Sequence, residues 1–157
     1  MTRLGIGIKL LAAMAVTMLL TGMLTYLLPE VFAIHFISSS TLRIAGMILL
    51  FGGLPIKIAF ARVPARAFKN GELVTTGVFS FVRHPMYAAW ILLFAPGIAL
   101  LFRSWLMLAT ALVGYFSFKY LIKEEDEYLT GKFGQAYLDY RSRVDGLFPI
   151  KRLRRKP

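Results

Sequence analysis

The chain has 157 residues, 57% of them hydrophobic and only 17% charged, with a mean hydropathy of +0.64; a soluble domain of this length needs a polar shell that this composition does not supply, so residues 1–157 read as one membrane domain. The formal charge of +11 comes from 19 Lys+Arg against 8 Asp+Glu. Because the basic residues lie between and after apolar runs, they point to an anionic membrane surface and not to nucleic acid, while the lack of cysteine excludes disulfides, thiolate metal sites and a cysteine nucleophile.

Four apolar runs follow in chain order. The first, Gly5 to Leu28, is closed by Pro29. It could pass for a signal peptide with Arg3 and Lys9 as its basic start. Its length suits the ~20 helical residues that cross a bilayer, and no cleavage site with a polar mature domain follows, so a retained helix is expected. The second run, Thr41 to Ala61, contains Gly52, Gly53 and Pro55; small residues permit close helix packing, and Pro55 predicts a kink. Val63 to His84 is a loop with Asn70-Gly71 as its turn signal. The third run, Met86 to Phe102, and the fourth, Trp105 to Ile122, are separated only by Arg103-Ser104, which predicts a tight antiparallel hairpin. Glu124 to Val144 extends the fourth helix into water, with breaks expected at Gly131 and Gly134. A basic tail, Lys151 to Lys156, ends the sequence. The expected fold is all-α: a bundle of about four transmembrane helices with a cytoplasmic C-terminal helical extension.

Lys and Arg set the orientation. Arg62, Arg66, Lys69 and Arg83 follow the second run, and the C-terminal segment is richer still. The other two connections carry only Arg103 between them, apart from Arg43 inside the second run. Both termini are therefore expected in the cytoplasm. Lys9, Lys57 and Lys119 fall near helix ends assigned to that side, where they can reach the headgroups.

Two polar clusters could carry chemistry. Arg83-His84-Pro85-Met86-Tyr87 lies where the loop meets the third span. Pro85 suits a first helical turn, and the helix start with Arg83 and His84 could hold a carboxylate or phosphate; equally, Arg and Tyr are ordinary residues of a cytoplasmic boundary. Glu124-Glu125-Asp126-Glu127 holds half of the acidic residues. Adjacent helical side chains diverge by ~100°, so at most some face the bundle, where they could hold a cation or ribose hydroxyls; the alternative is a solvated junction. Gly5-Ile6-Gly7 lies in a span with no preceding strand and is no dinucleotide loop. His35 lies on the outer side with no partner in sequence. No metal-ligand spacing is present.

The stretch GELVTTGVFSFVRHPMY, from Gly71 to Tyr87, resembles the cofactor motif of the membrane methyltransferases, a family that includes isoprenylcysteine carboxyl methyltransferases and phospholipid N-methyltransferases. The tail is similar too: an acidic pair, then Leu129, Phe133-Gly134, Tyr137, Tyr140, Val144 and Pro149. The resemblance runs from Gly71 to Pro149. It departs at Phe79, where the family often has Tyr, and at Ala89, where it often has Gly.

The resemblance implies S-adenosylmethionine as cofactor, bound without a Rossmann domain between the loop before the third span and the helix after the fourth. Leu73, Val74, Gly77 and Phe79 would supply backbone and apolar walls for adenine. Arg83, His84 and Pro85, with Tyr87, would hold the methionine end. The acidic pair, Glu124-Glu125 or Glu125-Asp126, would close the site, and Glu125 belongs to both registers. Arg83 and Glu125 are the catalytic candidates: Arg83 to hold the charge of a carboxylate or thiolate acceptor, Glu125 to take a proton from an amine. The acceptor would be lipophilic and enter sideways from the membrane lipids. An isoprenylcysteine carboxyl methyltransferase-like activity is expected, with a phospholipid amine N-methyltransferase or a non-catalytic membrane scaffold as alternatives. The acceptor atom and the oligomeric state stay open.

Overall fold

The structure, a computed structural model, describes residues 6–61 and 71–149. Arg62, residues 63–70 of the predicted loop and the basic tail lie outside them. Among the described residues, and apart from a short 3-10 turn at Gly77–Ser80, six helices follow one another: α1 (Gly7–Leu27), α2 (Pro29–Phe32), α3 (Ser39–Ala61), α4 (Pro85–Leu101), α5 (Leu106–Phe133) and α6 (Gln135–Arg143). α1, α3 and α5 are each long and apolar enough to cross a membrane; α4 is apolar but shorter. The all-α bundle with a C-terminal extension is therefore as expected. Pro29, however, does not simply close the first run: it occupies the first turn of α2, a position where the missing N–H costs nothing.

α4 lies at the centre. Ala88, Ala89, Ile91, Phe94, Ala95 and Ala99 along it are all buried, and one core unites Leu10 and Met14 of α1, Ile91 and Ala95 of α4, Phe118 of α5, and Leu147. By contrast, Leu19, Ile48 and Phe116 are more than 60% exposed. A soluble bundle would place polar residues there; these side chains face the hydrocarbon instead. The hydroxyls of Thr17, Thr21 and Thr25 donate to carbonyls four residues earlier, at 2.7–2.9 Å, and so are satisfied within α1.

The α3–α4 contact is close because α3 presents glycine. A Cβ on Gly46 would stand 2.8 Å from the carbonyl oxygen of Gly97, and one on Gly53 would stand 2.7 Å from the ring of Phe94. In α4, residues Trp90–Phe94 form a π-helical turn in which the N–H of Ala95 reaches back five residues to the carbonyl of Trp90. Pro96 follows at once. A proline in regular α-helix collides with the carbonyl four residues earlier, here that of Leu92, and the wider turn makes room for it.

The α4–α5 connection is tight, as expected. Ser104 Oγ accepts the N–H of Met107 at 3.1 Å, capping the start of α5, and lies 2.7 Å from the hydroxyl of Thr25 on α1. At the other end, α5 runs unbroken through Gly131, contrary to expectation. The break comes at Gly134, whose φ of 55° favours glycine, while its N–H closes the helix on the carbonyl of Thr130 at 2.8 Å. α6 then folds back, and Tyr137, Tyr140 and Val144 pack with Leu73, Leu129 and Phe133.

Candidate active site

The two polar clusters of the sequence meet at the end of the bundle where α4 begins and α5 leaves the membrane. Pro85 occupies the first turn of α4 and is buried. The backbone N–H groups of Arg83 and His84 donate to the carbonyls of Asp145 and Gly146 at 2.8 and 3.0 Å. The chain after α6 is thereby fastened over the start of α4, with Leu147 in the core.

Asp126 is the hub. It is 5% exposed and binds Arg83 Nη1 at 2.7 Å, the hydroxyl of Tyr137, and Arg141 Nη2 at 3.3 Å. Arg83 Nη1 also donates to the Tyr137 hydroxyl at 2.7 Å, and its Nε donates to the carbonyl of Val144 at 3.0 Å. A buried carboxylate needs such pairing, because desolvation otherwise drives it neutral. Burial and the hydrogen bond to Asp126 raise the Tyr137 hydroxyl above its usual range. Tyr140, whose hydroxyl donates to the carbonyl of Phe79 at 2.6 Å, is pushed up to about 12 by burial. This hub ties α4, α5 and α6 together, and the sequence reading assigned Asp126 no role beyond one option for the acidic pair.

Beside the hub stands a second group. The His84 ring stacks on Tyr87 at 5.6 Å and meets the edge of Phe118 at 5.5 Å. Tyr87 donates to Glu125 Oε2 at 3.4 Å, and Glu125 Oε1 lies 3.7 Å from His84 Nδ1. Burial pushes the His84 imidazole down to about 3, with the Arg83 charge adding to it and Asp126 opposing, so the ring is neutral at physiological pH. Its Nε2 is buried with no hydrogen-bond partner among the described residues. Such an orphan atom is costly unless something completes it.

The other predicted positions divide. Leu73 and Phe79 lie on the α6 side of the hub, Leu73 in its apolar cluster and Phe79 through Tyr140. Val74 is half-buried and Gly77 exposed, with a φ of 60° that suits glycine; among the described residues neither hydrogen-bonds to the polar groups. Glu124 turns outward and pairs with Lys9 at 3.4 Å, both side chains more than half exposed. Glu125 and Asp126 turn inward and Glu127 is exposed. Register decides this: Glu125 shares a face with Leu121 and Leu129, four residues to either side, and both leucines are partly buried. Deeper in the bundle, an apolar cavity of ≈250 Å³ lies between α1, α4 and α5, lined by Leu11, Met14, Met18, Trp90, Ile98 and Thr110 among others. Trp90 is one helical turn beyond Tyr87.

The family profile described as phospholipid methyltransferase matches residues 15–136. The chain belongs to this family. Among similar proteins, the protein-S-isoprenylcysteine O-methyltransferase of Schizosaccharomyces pombe is 34% identical over 91 residues, which cover 56% of this chain and 37% of that protein. The Xenopus laevis protein of the same name is 35% identical over 86 residues, covering 54% and 30%. Protein-S-isoprenylcysteine O-methyltransferase B of Arabidopsis thaliana is 30% identical over 88 residues, covering 56% and 45%. The match thus spans less than half the length of each relative. The family match takes in α3, α4 and α5 whole, and with them Arg83, Asp126 and the His84–Tyr87–Glu125 group, and stops just short of Tyr137 and Arg141.

Proposed function

We propose that this family member transfers a methyl group from S-adenosylmethionine to a lipophilic acceptor at the membrane face where α4 begins, in the manner of an isoprenylcysteine carboxyl methyltransferase. The observation that carries the reading is the His84–Tyr87–Glu125 group, a set of polar atoms gathered at the start of α4, with an apolar cavity deeper along that helix. The orphaned Nε2 of a neutral His84 fits a ligand that supplies a hydrogen-bonding atom. When bound, S-adenosylmethionine supplies a methyl group on a sulfonium, a good leaving group, so the protein's task is alignment and exclusion of water.

The residues divide that task. His84 and Tyr87 would hold the methionine end of the cofactor, and Leu73, Val74, Gly77 and Phe79 its adenine side. Arg83 has Nε and Nη1 engaged by the hub, which leaves Nη2 as the donor for a carboxylate. Asp126 positions that guanidinium. Glu125 orients the acceptor or accepts its proton where the acceptor is an amine. Glu124, outward and paired with Lys9, has the weakest case for contact with the cofactor. The cavity by Trp90 suits the hydrocarbon part of an acceptor arriving from lipid. The termini would face the cytoplasm, on the Lys/Arg asymmetry of the loops.

The test is methyl transfer from labelled S-adenosylmethionine by the purified protein in lipid nanodiscs, offered either an S-prenylated cysteine with a free carboxylate or phosphatidylethanolamine. Base-labile label on the prenylcysteine is the expected result. Label on the lipid amine alone would favour the phospholipid reading that the family's description carries, and no transfer to either would favour a non-catalytic scaffold.

A further inference from the structure

At the opposite end of the bundle the chain builds another pocket, of ≈290 Å³. Its walls are the connection between α2 and α3 and the turn between α4 and α5. The two are laced together: the N–H of Ile34 donates to the carbonyl of Arg103 at 2.6 Å, that of Trp105 to the carbonyl of Phe32 at 3.2 Å, and Trp105 Nε1 to the carbonyl of Val31 at 3.0 Å. Arg103, His35, Ser38 and Ser39 supply the polar side chains of the lining, and no carboxylate contributes to it.

Arg103 sets this pocket apart. Among the described residues it is the one non-glycine residue with positive φ, at 53°. A turn of that shape ordinarily takes glycine or asparagine, so a long cationic side chain is held there at a conformational cost, a feature that concentrates at functional sites. Its guanidinium makes no hydrogen bond or ion pair with any described residue, unlike that of Arg83 at the other end. The surround is apolar and outward-facing: Phe36 is 86% exposed, Phe102 66% and Trp105 48%. In a bilayer those side chains meet lipid near the headgroup layer, where aromatic residues concentrate. A forked cation with two hydroxyls nearby suits a phosphate, and the flanking apolar surface suits the chains attached to it.

We propose that this pocket binds the phosphate of a phospholipid headgroup on the membrane face opposite the candidate active site, with Arg103 as its principal ligand. The site is separate from the methyltransferase reading, and its test reads binding and not turnover.

Delipidated protein in neutral detergent is titrated by calorimetry with dioctanoyl phosphatidylglycerol, with dioctanoylglycerol, which has the same chains and no phosphate, and with inorganic phosphate. The phosphatidylglycerol is expected to bind, and Arg103→Gln to weaken it by about tenfold to a hundredfold, the worth of a charge-assisted hydrogen bond. Arg103→Gly should weaken it equally while melting no lower than the wild type, since glycine accepts this backbone conformation without strain. Dioctanoylglycerol binding as tightly as the phospholipid would overturn the phosphate assignment. Inorganic phosphate binding as tightly, with the same dependence on Arg103, would overturn the lipid as its source. Equal phosphatidylglycerol affinity in the wild type and both variants, or none in the wild type, would overturn the site.

Discussion

Glu124, Glu125 and Asp126 are adjacent acids with three different surroundings. Glu124 is paired at the surface, Glu125 faces Tyr87 and His84, and Asp126 is enclosed by Arg83, Tyr137 and Arg141. Glu125→Gln keeps the shape and removes the charge, so its effect reports chemistry or cofactor charge and not packing. We expect it to lower methyl transfer at least tenfold, with Glu124→Gln and Glu127→Gln close to wild type, because exposed acids contribute little. Equal rates in the three variants would return Glu125 to the surface. His84 gives a pH signature. Its imidazole is pushed down to about 3 in the folded protein, against 6.5 ordinarily. The unfolded chain therefore holds the extra proton between those values. The stability from His84 is complete above about pH 6.5 and is lost as pH falls toward 3. Between pH 7.5 and 5 the wild type should lose about 2 kcal/mol more than His84→Gln, at about 1.4 kcal/mol per unit, measured as denaturation in detergent. Parallel pH curves for the two proteins would show that His84 is not buried neutral.

At the scale of elements, the α3–α4 contact and the length of α5 position the site. Gly46 faces the carbonyl of Gly97, whereas a Cβ on Gly52 would meet nothing within 4 Å. Gly46→Ala should destabilise the bundle by about 1–3 kcal/mol through overpacking. Gly52→Ala should be neutral or stabilising by up to about 1 kcal/mol through helix propensity. Melting midpoints of both variants in one detergent check this, and the same sign for both would contradict the described packing. These two glycines also mark what the sequence could say. The four apolar runs, Pro85 at a helix start and the Gly134 break were legible because length, ring geometry and positive φ are local properties. Gly46 and Gly52 are indistinguishable by local rules, since only the partner helix separates them. The continuity of α5 through Gly131 was equally hidden: a single helical glycine is tolerated where no turn is imposed. The π-helical turn before Pro96 has a local cause, but a proline signals a kink or a bulge alike.

For the whole molecule, the four crossings expected from the sequence would place both termini on one membrane face, and the polar cluster with them; α1, α3 and α5 are long enough to cross and α4 is shorter. Half of the candidate site was legible from that plan. His84, Tyr87 and Glu125 were gathered as expected from a resemblance in two motifs, and Glu125 on a helical-face count. The pairing of Asp126 with Arg83, Tyr137 and Arg141 was not. Arg83 was a candidate by resemblance, but its tie to Asp126 is set where α6 folds back and brings Tyr137 and Arg141 to the same carboxylate, a contact across long sequence separation. The orientation in the membrane is expected from the charges: a reporter Ser40→Cys should label only from outside and Ser142→Cys only from the cytoplasm, each in a chain with no other cysteine. The reverse pattern would invert the protein.

The central claim is that the His84 group is a cofactor site. Arg83 is a poor probe of it, because its loss takes from the buried Asp126 its closest ionic partner and so disturbs the fold as well as the site. His84 is the better one, since its Nε2 has no described partner to lose. The decisive measurement is calorimetric titration of S-adenosylmethionine into the folded wild type and His84→Ala. The wild type should bind, and the variant should bind about tenfold more weakly, the lower end of a lost hydrogen bond to a charged ligand. Equal affinity in the two, or no binding by the wild type, would contradict the account.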